Sequence, residues 1–563
     1  MAPEPKDFNA GRGGDANGLS EIAARSSRSM LVPLALAQFL ASYDASSMNV
    51  AISRITEDLG TTVTGVQTVI TLFTLTMAAL MIPGSKLSDL WGRKRCFRLG
   101  IAMYGIGALV TALAPALAVM IAGFSLLEGI GSALMIPPIY ILITVSFADP
   151  VSRAKGFALV SAAGGLGSAS GPLIGGFLTT TISWRASFLA EALVTLVILY
   201  SSRRIVEPKA DVPKREFDLV GAVLSAAGLA LTVVGILQAG TYGWLRARKD
   251  FVIGDAVVLE RGDLSPVVLF TTMGIALLAL FFLHVRRRER AGRAPLLSTR
   301  LFESRTVNLG LVTQNVQWFM MIGTFFVVSV FLQVSRGYDA IRTGVLVTPA
   351  TLGILIASTR MERMTRTYPQ RSIIRAGFVT ALSGIALLLL LVDATSSVLT
   401  FIPGLFLIGF GAGIMLTASV NIVQSSVPDE DQAEISGISR SVSNLGSSLG
   451  TAIAGAVLIS ALHAGIASRV AESTVLSAGE KQRLSAALEH SVSAVSDTVV
   501  REALQGKPQA VVEDVTRINA EARDRAIGLA LAAVGLFGLI GLAAAMFLPA
   551  NAGCPRPGHA STK

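Results

Sequence analysis

Apolar and polar residues alternate along this chain in long blocks. Runs of about twenty apolar residues, the length a helix needs to cross a bilayer, are separated by short polar connections. Fourteen runs can be marked, near 31–53, 66–87, 97–115, 118–143, 154–178, 186–204, 217–239, 265–285, 306–333, 341–360, 371–392, 396–424, 435–462 and 526–548. The pattern predicts an all-α polytopic membrane protein. Residues 1–30 are polar, with Gly and Ser, and read as a disordered terminus. Arg25 and Arg28 precede an apolar run too long for a signal peptide, so it reads as an uncleaved first span.

Two connections depart from the short pattern. Residues 240–264 hold the aromatic pair Tyr242 and Trp244, then a segment around Gly254-Asp255 that reads as a short hairpin. Residues 464–525 are polar, with helical spacing of Val470, Val475, Leu484 and Leu488, and read as a helical cap outside the cytoplasm.

Composition agrees with the pattern. Of 563 residues, 52% are hydrophobic and 15% charged, with mean hydropathy +0.63; a soluble chain carries about 25% charged residues. The net charge of +10 is not the footprint of a nucleic-acid binder, because its basic residues cluster between alternate spans. Arg93, Lys94, Arg95 and Arg98 form one cluster, Arg203, Arg204, Lys209, Lys214 and Arg215 another. Arg286, Arg287, Arg288, Arg290 and Arg293 form a third. Connections of opposite parity, such as that from Thr111 to Met120, are nearly free of Lys and Arg. This positive-inside bias places both termini in the cytoplasm of a cell whose plasma membrane holds the protein. Cys96 and Cys554 give no expectation of a disulfide.

One segment stands out chemically: Gly167-Ser-Ala-Ser-Gly171-Pro172-Leu-Ile-Gly175-Gly176. Glycine at every fourth position bares one helical face, so another backbone can approach closely. Pro172 removes an intrahelical donor and predicts a kink in the same helix. This segment resembles the fifth-helix antiporter motif of the major facilitator superfamily. Ser85-Lys86-Leu87-Ser88-Asp89-Leu90-Trp91-Gly92-Arg93-Lys94-Arg95 resembles that superfamily's loop motif between its second and third helices. With fourteen spans, the chain looks like the drug:proton antiporter branch. Asp44 with Asn49-Val50-Ala51, Trp184-Arg185, Phe217-Asp218, and Gln333, Gly337, Gly344 and Pro349 also fit that branch.

The resemblance implies a six-helix bundle over 31–204, an inserted helix pair within 205–305 and a second bundle over 306–548, with a cytoplasmic tail at 549–563. It implies proton-coupled efflux of amphipathic drug-like compounds by alternating access, with protons, a small substrate and the bilayer as partners and a monomeric protein. A conserved plan of internal repeats is common among secondary transporters, and Pro83 and Pro349, each ahead of a basic turn, echo one another. Asp89, Gly92, Arg93 and Lys94 would latch the halves at the cytoplasmic face, although basic residues belong there on topology alone.

The chain departs from the pattern in its fourth helix. Ser125-Leu-Leu-Glu128-Gly129 stands where relatives carry an arginine linked to proton coupling, and Glu191 stands where they often carry Asn. Coupling therefore falls to Asp44, Glu128 and Glu191. A carboxylate at a helix centre costs roughly 2.5–3.5 kcal/mol on insertion scales, so Asp44 is a group that exchanges a proton. Its alternative is a protonated side chain bonded to a neighbour such as Asn49. Glu128 and Glu191 either join it or lie hydrated near helix ends; two of these acids in contact would titrate as one unit.

Asn49, Gln314, Asn315, Gln317, Trp318 and Asn421 are polar or aromatic groups within apolar spans. They are candidates for a substrate cavity, or for bonds between helices. No enzyme is expected: there is no GxxxxGK[ST] phosphate loop, and His284, His463, His490 and His559 are scattered, so no metal or cofactor is expected either. Two other readings remain open, export of an endogenous lipid, siderophore or secondary metabolite, and a non-transporting sensor working through the 464–525 cap.

Overall fold

The computed structural model describes residues 13–549, apart from 148–149, 206, 208–216, 254–255, 392–395, 428–431, 480 and 482–507. Its N-terminal part comprises α1 (Gly13–Ser47), α2 (Ile52–Asp58), α3 (Val63–Trp91), α4 (Arg93–Ala112) and α5 (Leu117–Met120). A π-helical segment, Ile121–Glu128, leads into α6 (Gly129–Ser146). Helix α7 (Pro150–Ser170) passes through a second π-helical segment, Gly171–Gly175, into α8 (Gly176–Thr181), and α9 (Trp184–Ser201) follows.

Next come α10 (Leu219–Leu237), α11 (Ala239–Tyr242), a hairpin of β1 (Phe251–Ile253) and β2 (Ala256–Leu259), and α12 (Pro266–Arg290). The C-terminal part holds α13 (Arg305–Val330), α14 (Ala340–Thr367), α15 (Gln370–Leu391), α16 (Phe401–Gln424), α17 (Gln432–Glu472) and α18 (Gln509–Met546). The hairpin is antiparallel, with Val252 opposite Val257, at the place the Gly254-Asp255 turn predicts.

Eleven of the described helices are long and apolar enough to cross a membrane. The other three expected spans fall on α1, α4 and the α7–α8 rod. These carry Asp44, four basic residues and a Gly/Ser-rich stretch respectively, which lower their hydropathy. All three pack inside the bundle, α1 against α7 and α4 against α6 and α9. Asp44 on α1 points inward, where lipid does not meet it, whereas Arg95 and Arg98 at the basic end of α4 are exposed.

Helix α1 begins at Gly13, ahead of the expected start of the first span. Residues 1–12, and nearly all of the expected 549–563 tail, lie outside the described residues. The flanks of the 464–525 segment continue α17 and α18 past the span limits predicted for them. Val470, Leu476, Val511, Val515 and Ile518 close a small core between these helix ends, and Arg469 pairs with Glu521 at 2.9 Å. The middle of that segment is not among the described residues.

Helices α3 and α17 form the main seam between the halves. Small and hydroxyl residues carry it: Gln67 Nε2 donates to the Thr451 carbonyl at 3.0 Å, Ser448 Oγ to the Thr71 carbonyl at 3.1 Å, and Ser441 Oγ to the Ala78 carbonyl. Lys86 and Glu434 end the row as an ion pair at 3.1 Å. The second seam joins α14 to the π-helical segment Gly171–Gly175 and α8. In a bilayer, where lipid tails are as apolar as leucine, such close backbone packing and hydrogen bonding hold helices together.

The face opposite the basic clusters has its own anchor. Asp58 accepts from Trp184 Nε1 at 3.0 Å and from the Arg185 guanidinium, which also donates to the Ala114 carbonyl at 2.8 Å. The Arg185 hydrogen bond holds the Asp58 carboxyl below its ordinary value, with Trp184 adding to the effect. A depressed carboxylate stabilises the fold above its unfolded pKa, about 3.9, and that contribution disappears as pH falls through the folded value. Asp58 is 45% exposed, so solvent limits the contribution to about 1 kcal/mol or less. Asp58→Asn is therefore expected to lower the thermal transition slightly at neutral pH, with the difference from wild type shrinking as pH falls below about 4 and vanishing below the depressed folded pKa.

Candidate functional site

Three acidic side chains meet inside the N-terminal bundle. Asp44 comes from α1, Glu128 from the last position of the first π-helical segment and Glu191 from α9. One oxygen from each lies within 4.8 Å of the others, and the residues are 0%, 0% and 2% exposed. Neither glutamate sits hydrated at a helix end. The extra residue of a π-helical turn redirects side chains relative to a regular helix, and here it ends on Glu128.

Tyr104 on α4 closes the cluster. Its hydroxyl lies 3.0 Å from Asp44 Oδ2 and 3.4 Å from Glu191 Oε2. One hydroxyl carries one proton, so it cannot serve both acids fully. Thr111 is in a similar position, donating to the Gly107 carbonyl at 2.8 Å while sitting 3.1 Å from Glu128 Oε1. Asp44 Oδ1, Glu128 Oε2 and Glu191 Oε1 are buried without a hydrogen-bond partner. A site with more acceptors than donors is completed by protons on the acids themselves. Asn49 does not bond to Asp44; its amide donates to the Ala45 carbonyl at 3.2 Å.

Ser125 occupies the place of the family arginine and spends its hydroxyl on the Val69 carbonyl at 2.8 Å. Phe73, Phe124, Phe188 and Trp184 form an aromatic chain beside the cluster, with centroid separations of 4.5, 5.7 and 5.9 Å.

The glycine motif supports this arrangement from α7. A Cβ on Gly167 would strike the Phe39 carbonyl, one on Gly171 the Ser46 hydroxyl and the Tyr43 carbonyl, and one on Gly175 the Ser47 Cβ at 2.7 Å. Three glycines thus seat α1 over successive turns, directly beside Asp44. The far side of the motif meets the other half: a Cβ on Gly176 would lie 2.6 Å from the Ala340 carbonyl, and one on Gly344 would strike the Pro172 carbonyl. Pro172, which lacks an N–H, falls in the π-helical segment Gly171–Gly175, the local form taken by the expected kink.

In the basic loop, Arg93 pairs with Asp89 at 3.7 Å. Gly92, at φ +93°, makes the turn between α3 and α4. Glu207, which sequence reasoning overlooked, accepts from the Arg93 and Lys94 backbone N–H groups at 2.8 and 3.1 Å. It satisfies the start of α4. Lys94 Nζ donates to the Arg203 carbonyl at 3.1 Å. Lys86–Glu434 crosses between the halves, and Glu434 also accepts from the Ser298 N–H.

The cavity candidates separate by environment. Gln314 is buried, with both amide atoms unpartnered. Gln317 accepts from Ser419 at 3.2 Å and Asn315 donates to the Val442 carbonyl at 2.9 Å, so both tie helices together. Trp318 packs near Met321, Ile322 and Ala412. Asn421 is exposed. The Asn49 carbonyl accepts from Gln333 Nε2 at 2.7 Å across the halves.

Two long half-bundles around a glycine-bared helix, joined along α3–α17 and α7–α14, define a membrane transporter architecture. Residues 34–451 match the family model of the Major Facilitator Superfamily, and the chain belongs to that superfamily. Among its relatives are the multidrug resistance protein Stp of Mycobacterium tuberculosis (strain CDC 1551 / Oshkosh), 26% identical over 77% of this chain and 76% of Stp, and the puromycin resistance protein pur8 of Streptomyces alboniger, 29% identical over 78% and 83%. The tetracenomycin C resistance and export protein of Streptomyces glaucescens is 25% identical over 92% of this chain and 90% of its own. In fold the chain is similar to a bacterial homologue of the human lysosomal transporter Spinster, inward-facing and unoccupied, with TM-score 0.57, 16% identity and coverage of 92% and 97%.

The contacts of Gly171 make a direct test. Gly171→Ala is expected to destabilise the protein by about 1–3 kcal/mol through overpacking, read as a lower melting temperature in detergent. Adding Ser46→Ala removes one of the two obstructing groups and is expected to recover part of the loss.

Proposed function

We propose that this protein is a secondary active exporter that exchanges inward-moving protons for small amphipathic compounds by alternating access. The observation that carries the reading is the convergence of Asp44, Glu128 and Glu191, all buried in one half, against the helix that the glycine motif holds in place. Its relatives named for drug resistance and export set the direction of transport. The basic face is the cytoplasmic one, with both termini on that side of the plasma membrane.

Protons reach the cluster when the protein opens outward and leave it when the protein opens inward. Each elementary charge moved across 100 mV supplies about 2.3 kcal/mol, enough for roughly a fifty-fold gradient of a neutral cargo. The cluster replaces the scheme built on the fourth-helix arginine: without a fixed positive charge at Ser125, the acids regulate one another. At the seam, opening toward the basic face breaks Lys86–Glu434 and opening toward the other face breaks the Gln67 bonds to α17. Export of an endogenous metabolite uses the same machinery with another cargo, a reading favoured by the relative named for both resistance and export.

Energised everted vesicles test this reading. Wild-type vesicles are expected to move a fluorescent dye until an uncoupler is added, and a sodium gradient alone is expected to drive nothing. Asp44→Asn, Glu128→Gln and Glu191→Gln are each expected to lower the rate about tenfold or more, a barrier change of about 1.4 kcal/mol. Full uncoupler-sensitive rates in all three variants would remove the cluster from the coupling mechanism.

A further inference from the structure

Arg440 lies six residues beyond Glu434 on α17, about 9 Å along the helix axis, inside the candidate span Glu434–Glu472. It faces the other half of the molecule. Its guanidinium carbon sits 4.6 Å from the centroid of the Tyr140 ring, and one of its nitrogens donates to the Tyr140 hydroxyl. That hydroxyl in turn donates to Gln38 Oε1 at 3.2 Å, and Gln38 Nε2 donates to Ser42 at 3.2 Å. Helices α1, α6 and α17 thus meet around one cationic side chain between the two halves.

Among the described residues no carboxylate pairs with Arg440. Asp44, Glu128 and Glu191 are sealed inside the N-terminal bundle, and Glu434 is engaged by Lys86 and the Ser298 N–H. A guanidinium offers five N–H donors in a planar fork suited to a carboxylate. A charge held within the bilayer and supported only by an aromatic face and a phenol is under-compensated. Arg440 is only partly buried, so its guanidinium is not sealed off by the protein.

We propose that Arg440 reads substrate charge and that the exported compounds are amphipathic organic anions, with the acidic group on the guanidinium and an aromatic body against Tyr140. The inference rests on the transport reading above and deepens it by naming the substrate class. An anion makes physical sense of the division of charge: acids for protons are kept inside one half, while the charge facing the seam is positive. With a cell interior that is electrically negative, proton entry and anion exit both run down the membrane potential.

Fluorescein and rhodamine 123 share a xanthene skeleton and differ in charge, which makes them a matched pair of probes. Their equilibrium binding to the purified full-length protein in nanodiscs, followed by fluorescence anisotropy, needs no ion gradient. Fluorescein is expected to bind the wild type, with affinity falling at least tenfold in Arg440→Gln. Rhodamine 123 binding is expected to stay the same or improve. Arg440→Lys keeps the charge without the planar fork and is expected to fall between; it also serves as the folded comparison if the glutamine variant does not assemble. Wild-type fluorescein affinity in Arg440→Gln, or equal loss for both dyes, would overturn the proposal. Because no gradient is involved, Arg440-dependent binding alongside uncoupler-insensitive transport would leave this inference standing and reject proton coupling.

Discussion

Three carboxyl groups whose oxygens lie within 4.8 Å of one another, inside an apolar bundle, set the terms for this molecule. Two ionised groups at that distance repel by roughly 3.5 kcal/mol even at an effective dielectric constant of 20. Three cannot stay ionised together, and the donors around them are too few to satisfy every oxygen. Proton occupancy is therefore part of the folded structure, and any motion that changes solvent access to the pocket changes that occupancy. The three acids behave as one coupled unit, so no single residue owns the titration.

The remainder of the N-terminal half follows from building such a pocket in a membrane. Asp44 must be held to its neighbours without room for water, which requires α1 to sit tightly on α7, and Gly167, Gly171 and Gly175 make that approach possible. The same rod carries Gly176 and Pro172 against α14, so packing around the acids is mechanically continuous with the seam between the halves. The seam itself uses bonds from small hydroxyl and amide side chains to backbone carbonyls, such as Ser448 to Thr71 and Gln67 to Thr451. Bonds of this kind are individually modest, which suits a surface that must part and reform. Its basic end carries an ion pair, Lys86–Glu434.

Much of the architecture was legible in the sequence because bilayer thickness imposes a length on each helix. The inserted hairpin near Gly254 and the close packing of the glycine motif were equally legible, since both depend on local residue types. Three helices blur the hydropathy signal: α1 carries the buried Asp44, α4 begins with four basic residues, and α7 is rich in Gly and Ser. The convergence of Glu128 and Glu191 on Asp44 was open in the sequence: periodicity assigns a residue to a helical face but does not say which helix that face meets. Tyr104 and Thr111 were missed for that reason, as was Glu207, an acid in a connection that caps α4 at a distance of more than a hundred residues. Arg440 did leave a signal, a lone arginine in a predicted span, beyond a connection that is acidic in sequence. Within the basic loop, Arg93 pairs with Asp89 one turn away, a contact that i, i+4 spacing alone makes available.

The central claim is that the carboxyl cluster holds the protons that are exchanged for substrate. Its most direct measurement is the number of protons released when a transported compound is added to the purified protein in weakly buffered detergent solution, followed with a pH indicator. The account predicts release from the wild type and reduced release from Asp44→Asn, Glu128→Gln and Glu191→Gln, with none from the triple variant. Undiminished proton release from a folded triple variant would contradict it.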